Sequence, residues 1–312
     1  MRVIRDLVNV NLAKASALSI GVFDGVHVGH RYLVNRLMES AEDKGFLSGV
    51  VTFDLHPDSV LAPQKDIRYL TTLEEKLTLL GDLGLDFTVV LSFTKELAQT
   101  SGRDFILSIM HRLRMKELWI GPDFALGRNR QGDAAYLRAL GKELGFRLEA
   151  LQPLLDEGEM VSSTNIRALL REGRVTEASR LLGRYPALTG EVATGARRGQ
   201  ELGFPTANLT VDEKMMIPAD GIYAARVRWG LANHQGVANI GVRPTFEDHG
   251  ERIVEVHILD FSGDLYGQIL EIDFVKRLRP ERRFESPQQL IAQMKEDIAQ
   301  TRHLFDEQQQ TL

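Results

Sequence analysis

Short apolar runs alternate with amphipathic stretches through the first half of the chain. The runs predict β-strands at residues 17–22, 49–53, 87–91, 117–120 and 147–151. Between them apolar residues recur at helical spacing, as Leu33, Leu37 and Ala41 do, and predict helices at residues 31–44, 73–83, 101–114 and 133–144. Strands that alternate with helices in this way predict a parallel, Rossmann-like α/β sheet flanked by helices, with its ligand site at the carboxyl ends of the strands.

The pattern changes in the second half of the chain. Two short helices are predicted at residues 164–172 and 175–182. Segments rich in β-branched residues then follow one another without helices between them, at residues 188–193, 221–229, 235–240, 252–259 and 268–275. They predict a small antiparallel β-barrel, followed by a closing helix at residues 287–305 and a frayed tail at 306–312. We place the domain boundary between residues 185 and 186.

Composition and charge narrow the class of protein. The chain has 312 residues, with 38 Lys and Arg against 43 Asp and Glu, and a net charge of −5. This charge gives no bulk attraction to nucleic acid or to an anionic membrane. The lack of cysteine excludes disulfides, thiolate catalysis and cysteine-ligated metals. The sequence has no secretory signal pattern and no run of about 18 apolar residues. We therefore expect a cytoplasmic protein whose partners are small molecules, and self-association leaves no signal in the sequence.

A glycine-rich segment, GVFDGVHVGH from Gly21 to His30, directly follows the first predicted strand and precedes a helix. Its glycines allow a tight turn and a close backbone approach, and the free N–H groups at a helix start suit phosphate. His27 is three residues before His30, so both fall on one face of the first turn, where they can donate to phosphate oxygens. The segment predicts a nucleotide site, and the alternative is a glycine-rich turn with incidental histidines.

A second helix start carries similar chemistry. Ser163 and Thr164 are residues that cap helices, and Arg167 emerges three residues later on the same side. Capping accounts for the two hydroxyl residues but not for the arginine. A helix N-terminus with an arginine forms a clamp for phosphate groups.

The second half holds another glycine-rich loop, in which Gly195, Gly199 and Gly203 offer N–H groups and Arg198 adds charge. No Gly-Lys-Ser/Thr follows, so it is not a Walker loop. The segment PTAN comes next. Strand alternation puts its threonine and asparagine on one face, where two oxygen donors suit Mg²⁺. Paired polar side chains on a solvated strand face are the alternative.

An acid in the middle of a later predicted strand, Glu255, is able to accept a proton from an attacking hydroxyl if it faces a site. Alternation puts Glu255 and His257 on one face of that strand, and a solvated strand glutamate has the same pattern. The pattern alone therefore leaves both interpretations open, and we interpret His257 as structural.

These motifs resemble those of one family. GVFDGVHVGH, FDLHP, LTTLEEK, GPDFALG, SSTNIR, GFPTAN and VEVHILDF occur in the order found in the prokaryotic bifunctional riboflavin kinase/FMN adenylyltransferase (FAD synthetase) family. The resemblance covers most of the chain. It implies a nucleotidylyltransferase domain at residues 1–185 and a riboflavin kinase domain at residues 186–312. It also implies that riboflavin and ATP give FMN, and that FMN and a second ATP give FAD and pyrophosphate, with Mg²⁺ as the metal.

The resemblance implies roles for individual residues. The catalytic residues it implies are Glu255 as the kinase base, with His27, His30 and Arg167 for adenylyl transfer. The metal ligands it implies are Thr206 and Asn208. The nucleotide- and phosphate-binding residues it implies are Gly21, Phe23, Asp24, Gly25, Gly29, His56, Asp123, Ser163, Thr164, Gly195, Arg198, Gly199 and Gly203.

Some positions depart from the family pattern. Leu126 replaces an aromatic residue, which we expect to alter packing only, and Gln200 replaces a basic one. The linker order Tyr185-Pro186 is also reversed. We interpret LTTLEEK mainly as a helix cap and the basic run RLRPERRF as a solvated turn.

Two rival functions are consistent with parts of the sequence. An adenylyltransferase for nicotinamide mononucleotide or pantetheine phosphate has no need of PTAN or of a second domain. A flavin-binding sensor that has lost catalysis has no need of the intact reactive residues. Bound flavin without ATP turnover would favour the sensor.

Overall fold

The computed structural model describes residues 1–8, 10–193, 203–242 and 252–310, and for residues 129, 309 and 310 only the backbone. These residues form two compact units, Met1–Ser163 and Thr164–Leu312. Each unit contains its own sheet, so each is described separately.

The first unit is built on a six-stranded parallel sheet in the order β1-β4-β3-β2-β5-β6. Its strands are β1 (Arg2–Ile4), β2 (Ser16–Ile20), β3 (Leu47–Phe53), β4 (Phe87–Leu91), β5 (Met115–Ile120) and β6 (Arg147–Ala150). Its helices are α1 (Val28–Lys44), α2 (Pro57–Leu61), α3 (Leu73–Asp82), α4 (Lys95–Gln99), α5 (Gly102–Leu113) and α6 (Ala134–Leu144), with a 3₁₀ turn at Arg128–Arg130. A short hairpin, β7 (Leu155–Asp156) and β8 (Glu159–Met160), follows.

The strand order places a crevice at one position of the sheet. The chain runs outward from β2 through β3 to β4 and then returns to add β5 on the other side of β2. Loops after β2 and β5 therefore diverge at their carboxyl ends, which is where open α/β sheets bind ligands. All residues of β2 are buried, so this strand lies in the centre of the core.

The second unit begins with α7 (Ser163–Arg171), apart from the first residue of this helix, and continues with α8 (Val175–Leu182). Six antiparallel strands then close into a barrel in the order β10-β13-β12-β11-β14-β9. They are β9 (Ala187–Ala193), β10 (Ala207–Val211), β11 (Gly221–Trp229), β12 (Ala232–Val242), β13 (Arg252–Ile258) and β14 (Ile269–Arg279). A closing helix, α9 (Pro287–Gln310), completes the unit.

Buried polar contacts tie the last helix to the barrel. The Arg279 guanidinium at the end of β14 donates to the Asp297 carboxylate of α9 at 2.8 Å, and both side chains are largely buried. Gln293 also donates to Asp297, at 2.9 Å. Arg277 donates to the Asp220 carbonyl. The interpretation of RLRPERRF as a solvated turn is therefore wrong for its first arginines, because two of them lie in a strand and are paired.

The predicted fold class is confirmed in both units. The predicted frayed tail is wrong for residues 306–310, which extend α9, and residues 311–312 lie outside the described residues. The strands β1, β7 and β8 and the short helices α2 and α4 were not predicted. Among the residues that the structure describes, no helix has the length and the apolar run needed to cross a membrane.

Candidate active sites

The first candidate site is the segment from Gly21 to His30, which joins the carboxyl end of β2 to α1. Its backbone is sharply turned, with left-handed φ values of 53° at Phe23, 81° at Gly25 and 35° at Val26. Such conformations are costly for residues with a side chain and persist only when surrounding contacts fix them. The predicted tight turn is therefore present.

Asp24 supplies the contacts that fix this turn. Its buried carboxylate accepts hydrogen bonds from the backbone N–H groups of Leu70, at 3.0 Å, and Thr71, at 3.2 Å. The Gly25 N–H in turn donates to the Thr71 hydroxyl at 3.1 Å. Asp24, predicted as a nucleotide contact, thus has a structural role in this loop, and the predicted contact stays a prediction.

The two histidines of the motif lie against each other. His27 is the N-cap of α1, and its Nδ1 accepts from the His30 N–H at 3.3 Å. The rings stack with centroids 3.6 Å apart, and a Cβ on Gly29 would lie only 3.2 Å from the His27 ring. The buried Phe23 ring packs against the His30 ring, with the two ring centroids 4.9 Å apart. The expected pairing of the histidines on the first turn is therefore present.

The environment of His30 keeps its ring neutral. Burial, reinforced by the positive charges of His27 and Lys76, holds the pKa of His30 well below its ordinary value of 6.5. Its Nδ1 is buried and has no hydrogen-bond partner among the described residues. A neutral imidazole still carries one N–H, which can donate to an anionic oxygen.

Lys76 is a site residue that sequence reasoning missed. Its ammonium donates to the carbonyls of Phe53, at 2.8 Å, and Val22, at 3.2 Å, and so joins the chain just after β2 to the end of β3. Burial lowers the pKa of Lys76 from 10.5 to about 8. The signal was available, because Lys76 shares the buried face of α3 with Leu80, where a lysine is rare unless it is paired.

Three further predicted residues of the first unit each have a hydrogen-bond partner of their own. The Ser163 hydroxyl, at the end of the first unit, donates to the Asp24 carbonyl at 2.9 Å. Gly21 donates its N–H to the Val51 carbonyl at 3.0 Å. His56 is the N-cap of α2, and its Nδ1 accepts from the Asp58 N–H.

The segment after β5 is also at the carboxyl edge of the sheet. Asp123 lies there and is exposed, three residues beyond the end of β5. Leu126 is buried in the core of the first unit, and the expectation that this departure alters packing only stays a prediction. Thr164 and Arg167 lie on α7 in the second unit, with Thr164 exposed and Arg167 half-buried.

The second candidate site lies on the barrel. Asn208 of β10 is directly opposite Glu255 of β13, and Glu255 is directly opposite Asn239 of β12. Opposed residues on neighbouring strands share a face, and strand β13 buries Val254 and Val256 on the other face. The predicted metal ligand Asn208 and the predicted base Glu255 therefore lie side by side on the outer face of the barrel.

The PTAN segment is anchored to β13, the strand that carries Glu255. Nδ1 of His257 donates to the Pro205 carbonyl at 2.8 Å, and the Phe204 ring meets the His257 ring edge-on at 5.7 Å. Thr206 lies between this anchor and the start of β10. It lines a cavity of about 480 Å³ together with Val256, Phe261 and Tyr266. The structural role expected for His257 is thus to hold PTAN beside Glu255.

The predicted metal ligands provide oxygen atoms only. Oδ1 of Asn208 is buried and accepts no hydrogen bond from the described residues, so it is available to a cation or to a donor. No cluster of three His, Cys, Asp or Glu side chains able to hold a metal occurs within the described ranges. Thr206 and Asn208 therefore fit a hard cation whose remaining ligands are water or phosphate.

The glycine-rich loop of the second unit is only partly described. Gly203 has a left-handed φ of 86°, which favours glycine, and a Cβ there would meet no neighbour. Gly195, Arg198 and Gly199 lie outside the described residues.

Two family models match the chain in order. One, FAD synthetase, covers residues 10–165, and the other, riboflavin kinase, covers residues 182–305. The bifunctional riboflavin kinase/FMN adenylyltransferase of Listeria monocytogenes is 37% identical over 290 residues, which cover 92% of each chain. The enzyme of the same name from Escherichia coli strain K12 is 36% identical over 310 residues, 98% of each chain.

A solved structure is also similar along the chain. A protein from Streptococcus pneumoniae, described as a macrolide-efflux protein, matches with a TM-score of 0.88 and 29% identity, over 96% of this chain and 98% of its own. That description applies to the pneumococcal protein. Because relatives more than 30% identical span nearly the whole chain and both family models match, this chain belongs to the bifunctional riboflavin kinase/FMN adenylyltransferase family.

Proposed function

We propose that this chain makes FAD in two ATP-dependent steps, first phosphorylating riboflavin to FMN and then transferring AMP from ATP to FMN. The observation that carries the proposal is that one chain, matched from end to end by bifunctional relatives, has a separate polar site on each of two units. We assign adenylyl transfer to residues 1–185 and the kinase to residues 186–312.

The kinase step uses the row of polar residues on the barrel. Glu255 accepts the proton of the riboflavin 5′-hydroxyl as the oxygen attacks the γ-phosphorus of ATP. The new P–O bond forms as the bond to the β–γ bridging oxygen breaks, and ADP leaves. The cavity beside Thr206, with the aromatic side chains of Phe261 and Tyr266, accommodates the nucleotide of this ATP.

The adenylyl step uses the loop after β2. A phosphate oxygen of FMN attacks the α-phosphorus of ATP in line, and pyrophosphate leaves. His27 and His30 donate to phosphate oxygens as negative charge builds up, and neutral His30 does so without adding charge beside His27. Arg167 and the capping residues at the start of α7 hold the departing phosphates. No covalent enzyme intermediate is needed, so these residues act by positioning and charge stabilisation.

The remaining nucleotide contacts and the metal complete the assignment. Thr206 and Asn208 would hold Mg²⁺ at the kinase site, where the cation would neutralise phosphate charge. Gly195, Arg198, Gly199 and Gly203 contact the phosphates of the kinase ATP, and His56 and Asp123 contact the adenylyl donor. We place the reaction in the cytoplasm, where ATP is available, with no nucleic acid or membrane as partner.

A pair of single substitutions tests the two assignments on one chain. Glu255→Gln should abolish FMN formation and leave FMN-to-FAD conversion near the wild-type rate. His30→Ala should do the reverse. The assay follows riboflavin, FMN and FAD by chromatography with ATP and Mg²⁺. If either substitution stops both reactions in a folded protein, the two-site assignment is wrong. Bound flavin without any product in the wild type would favour the sensor.

A further inference from the structure

Glu255 has an asparagine directly opposite it on each neighbouring strand, Asn208 on β10 and Asn239 on β12. Directly opposed side chains on antiparallel strands have Cβ atoms about 5 Å apart. Of these two asparagines, only Asn208 on β10 is a ligand of the metal proposed above. The one on β12 has no part in the reaction as described so far.

The two asparagines share an unusual property. Oδ1 of Asn208 and Oδ1 of Asn239 are both buried, and neither accepts a hydrogen bond from the described residues. Folded proteins seldom leave a buried acceptor without a donor, and each such atom calls for an explanation. Metal binding accounts for Asn208, whereas the oxygen of Asn239 needs a donor of its own.

The orientation of the Asn239 amide is fixed from the far side by Glu281. The Asn239 side chain hydrogen-bonds to the Glu281 carboxylate, and an ionised carboxylate only accepts. The NH₂ group must therefore face Glu281, which leaves Oδ1 for another partner. Although Glu281 is an exposed residue, its carboxylate rests on Gly241, where any Cβ would overlap it. Glycine at this position of β12 is what admits the carboxylate.

We propose that Asn239 Oδ1 accepts a hydrogen bond from a second hydroxyl of the phosphoryl acceptor, and that Glu281 is the positioning residue that aims it. The inference rests on the proposed kinase activity. The ribityl chain of riboflavin has a hydroxyl on the 4′ carbon, next to the 5′ carbon whose hydroxyl reacts. A group one strand away from Glu255 is placed to bind that neighbouring hydroxyl. Asn239 thus makes the kinase specific for a polyol acceptor.

The test compares riboflavin with 4′-deoxyriboflavin as acceptors for the full-length chain. In the wild type, kcat/KM for the deoxy compound should be about 10- to 100-fold lower, because a buried acceptor then stays unpaired. Asn239→Ala should lower kcat/KM for riboflavin by a similar factor and should change the deoxy reaction little. The loss from removing the 4′ hydroxyl and the loss from removing the Asn239 amide are then not additive. Non-additivity identifies Asn239 as the direct partner of that hydroxyl.

The role of Glu281 has its own readout. Glu281→Ala should reduce the discrimination between the two acceptors by about 10-fold. Glu281→Gln should retain most of it, because its amide oxygen still accepts from the Asn239 NH₂ group. A purely structural role would slow both acceptors equally. Asn233→Ala, an exposed asparagine on the same outward side of β12, is the matched control and should leave both rates unchanged.

Several outcomes would overturn the proposal. One is full discrimination in Asn239→Ala. Another is a raised Mg²⁺ requirement in that variant with discrimination intact, which would make the donor a metal-bound water. Trp229 fluorescence checks that the barrel is folded in each variant. If Asn239→Ala does not fold, Asn239→Ser takes its place, because the serine hydroxyl is too short to reach the 4′ hydroxyl. A wild type that fails to phosphorylate riboflavin refutes the proposed function instead.

Discussion

Lys76 offers a sharp test of the electrostatics at the first site. Its side chain is almost fully buried, with 6% of its surface exposed, yet it carries an ammonium group at neutral pH. We consider the substitution Lys76→Met, which keeps an unbranched apolar side chain up to the ε position and removes the titrating group. The carbonyls of Val22 and Phe53 lose their donor in this variant, and that loss does not depend on pH.

The magnitude follows from the pKa. Burial lowers the pKa of Lys76 from 10.5 to about 8, which corresponds to about 3 kcal/mol of destabilisation when the lysine is charged. Below pH 8 both the folded and the unfolded chain bind the proton, so this cost is present in full. Between about pH 8 and 10.5 only the unfolded chain binds it, so the free energy of unfolding rises with pH. Above pH 10.5 the cost is absent.

The two tryptophans allow each unit to be followed separately. Trp119 is buried in β5 of the first unit, and Trp229 lies at the end of β11 in the second. In a Trp229→Phe background, urea unfolding monitored by fluorescence reports on the first unit. The free energy of unfolding of the protein with Lys76, minus that of Lys76→Met, should increase by about 3 kcal/mol from pH 7.5 to 10.5.

An exposed lysine on α6 provides the control. Lys142→Met removes one ammonium group from the same unit without changing a buried site, so its difference from the parent should stay flat over this pH range. A flat difference for Lys76→Met as well would refute the reasoning, because Lys76 would then titrate alike in the folded and unfolded chains.

Two further predictions concern packing. Asp297→Asn removes the charge partner of the largely buried Arg279 and should destabilise the second unit by about 3–5 kcal/mol, measured by urea unfolding with the tryptophan of that unit. An unchanged midpoint would contradict a buried pair. Gly49→Ala places a methyl group against the Phe87 ring between β3 and β4 and should destabilise the first unit by about 1–3 kcal/mol, whereas Gly121→Ala, which meets no neighbour, should change it by less than about 0.5 kcal/mol. Equal effects of the two glycine substitutions would show that the sheet adjusts freely.

The elements that local pattern determines were predicted closely. The strand Phe87–Leu91, the helix Val175–Leu182 and the strand Gly221–Trp229 have the predicted bounds. The three-residue strand β1 was missed because it is too short to show alternation, and its pairing with β4 depends on the tertiary fold. Residues 306–310 were predicted to fray because they are polar, but they continue a helix that is already formed.

The features of the candidate sites also fall into two groups, those set by local sequence and those set by the tertiary fold. The glycine-rich turn and the capping residues follow from short-range chemistry, so the sequence predicts them. The roles of Lys76, Asn239 and Glu281 depend on which strand ends or strand positions become neighbours. Register of this kind is a property of the folded barrel or sheet, and a single sequence does not display it.

The link between Arg279 and Asp297 bears on the order in which the chain is completed during synthesis. The first unit has all six strands of its parallel sheet once residue 150 has been made, and domains fold as units from the N-terminus. The barrel instead pairs its first strand, β9, with its last, β14, and its buried arginine finds its carboxylate only in α9. A nascent chain that stops before Asp297 thus carries a complete sheet and a barrel with an unpaired internal cation. We therefore expect the kinase activity to form last during synthesis of the chain.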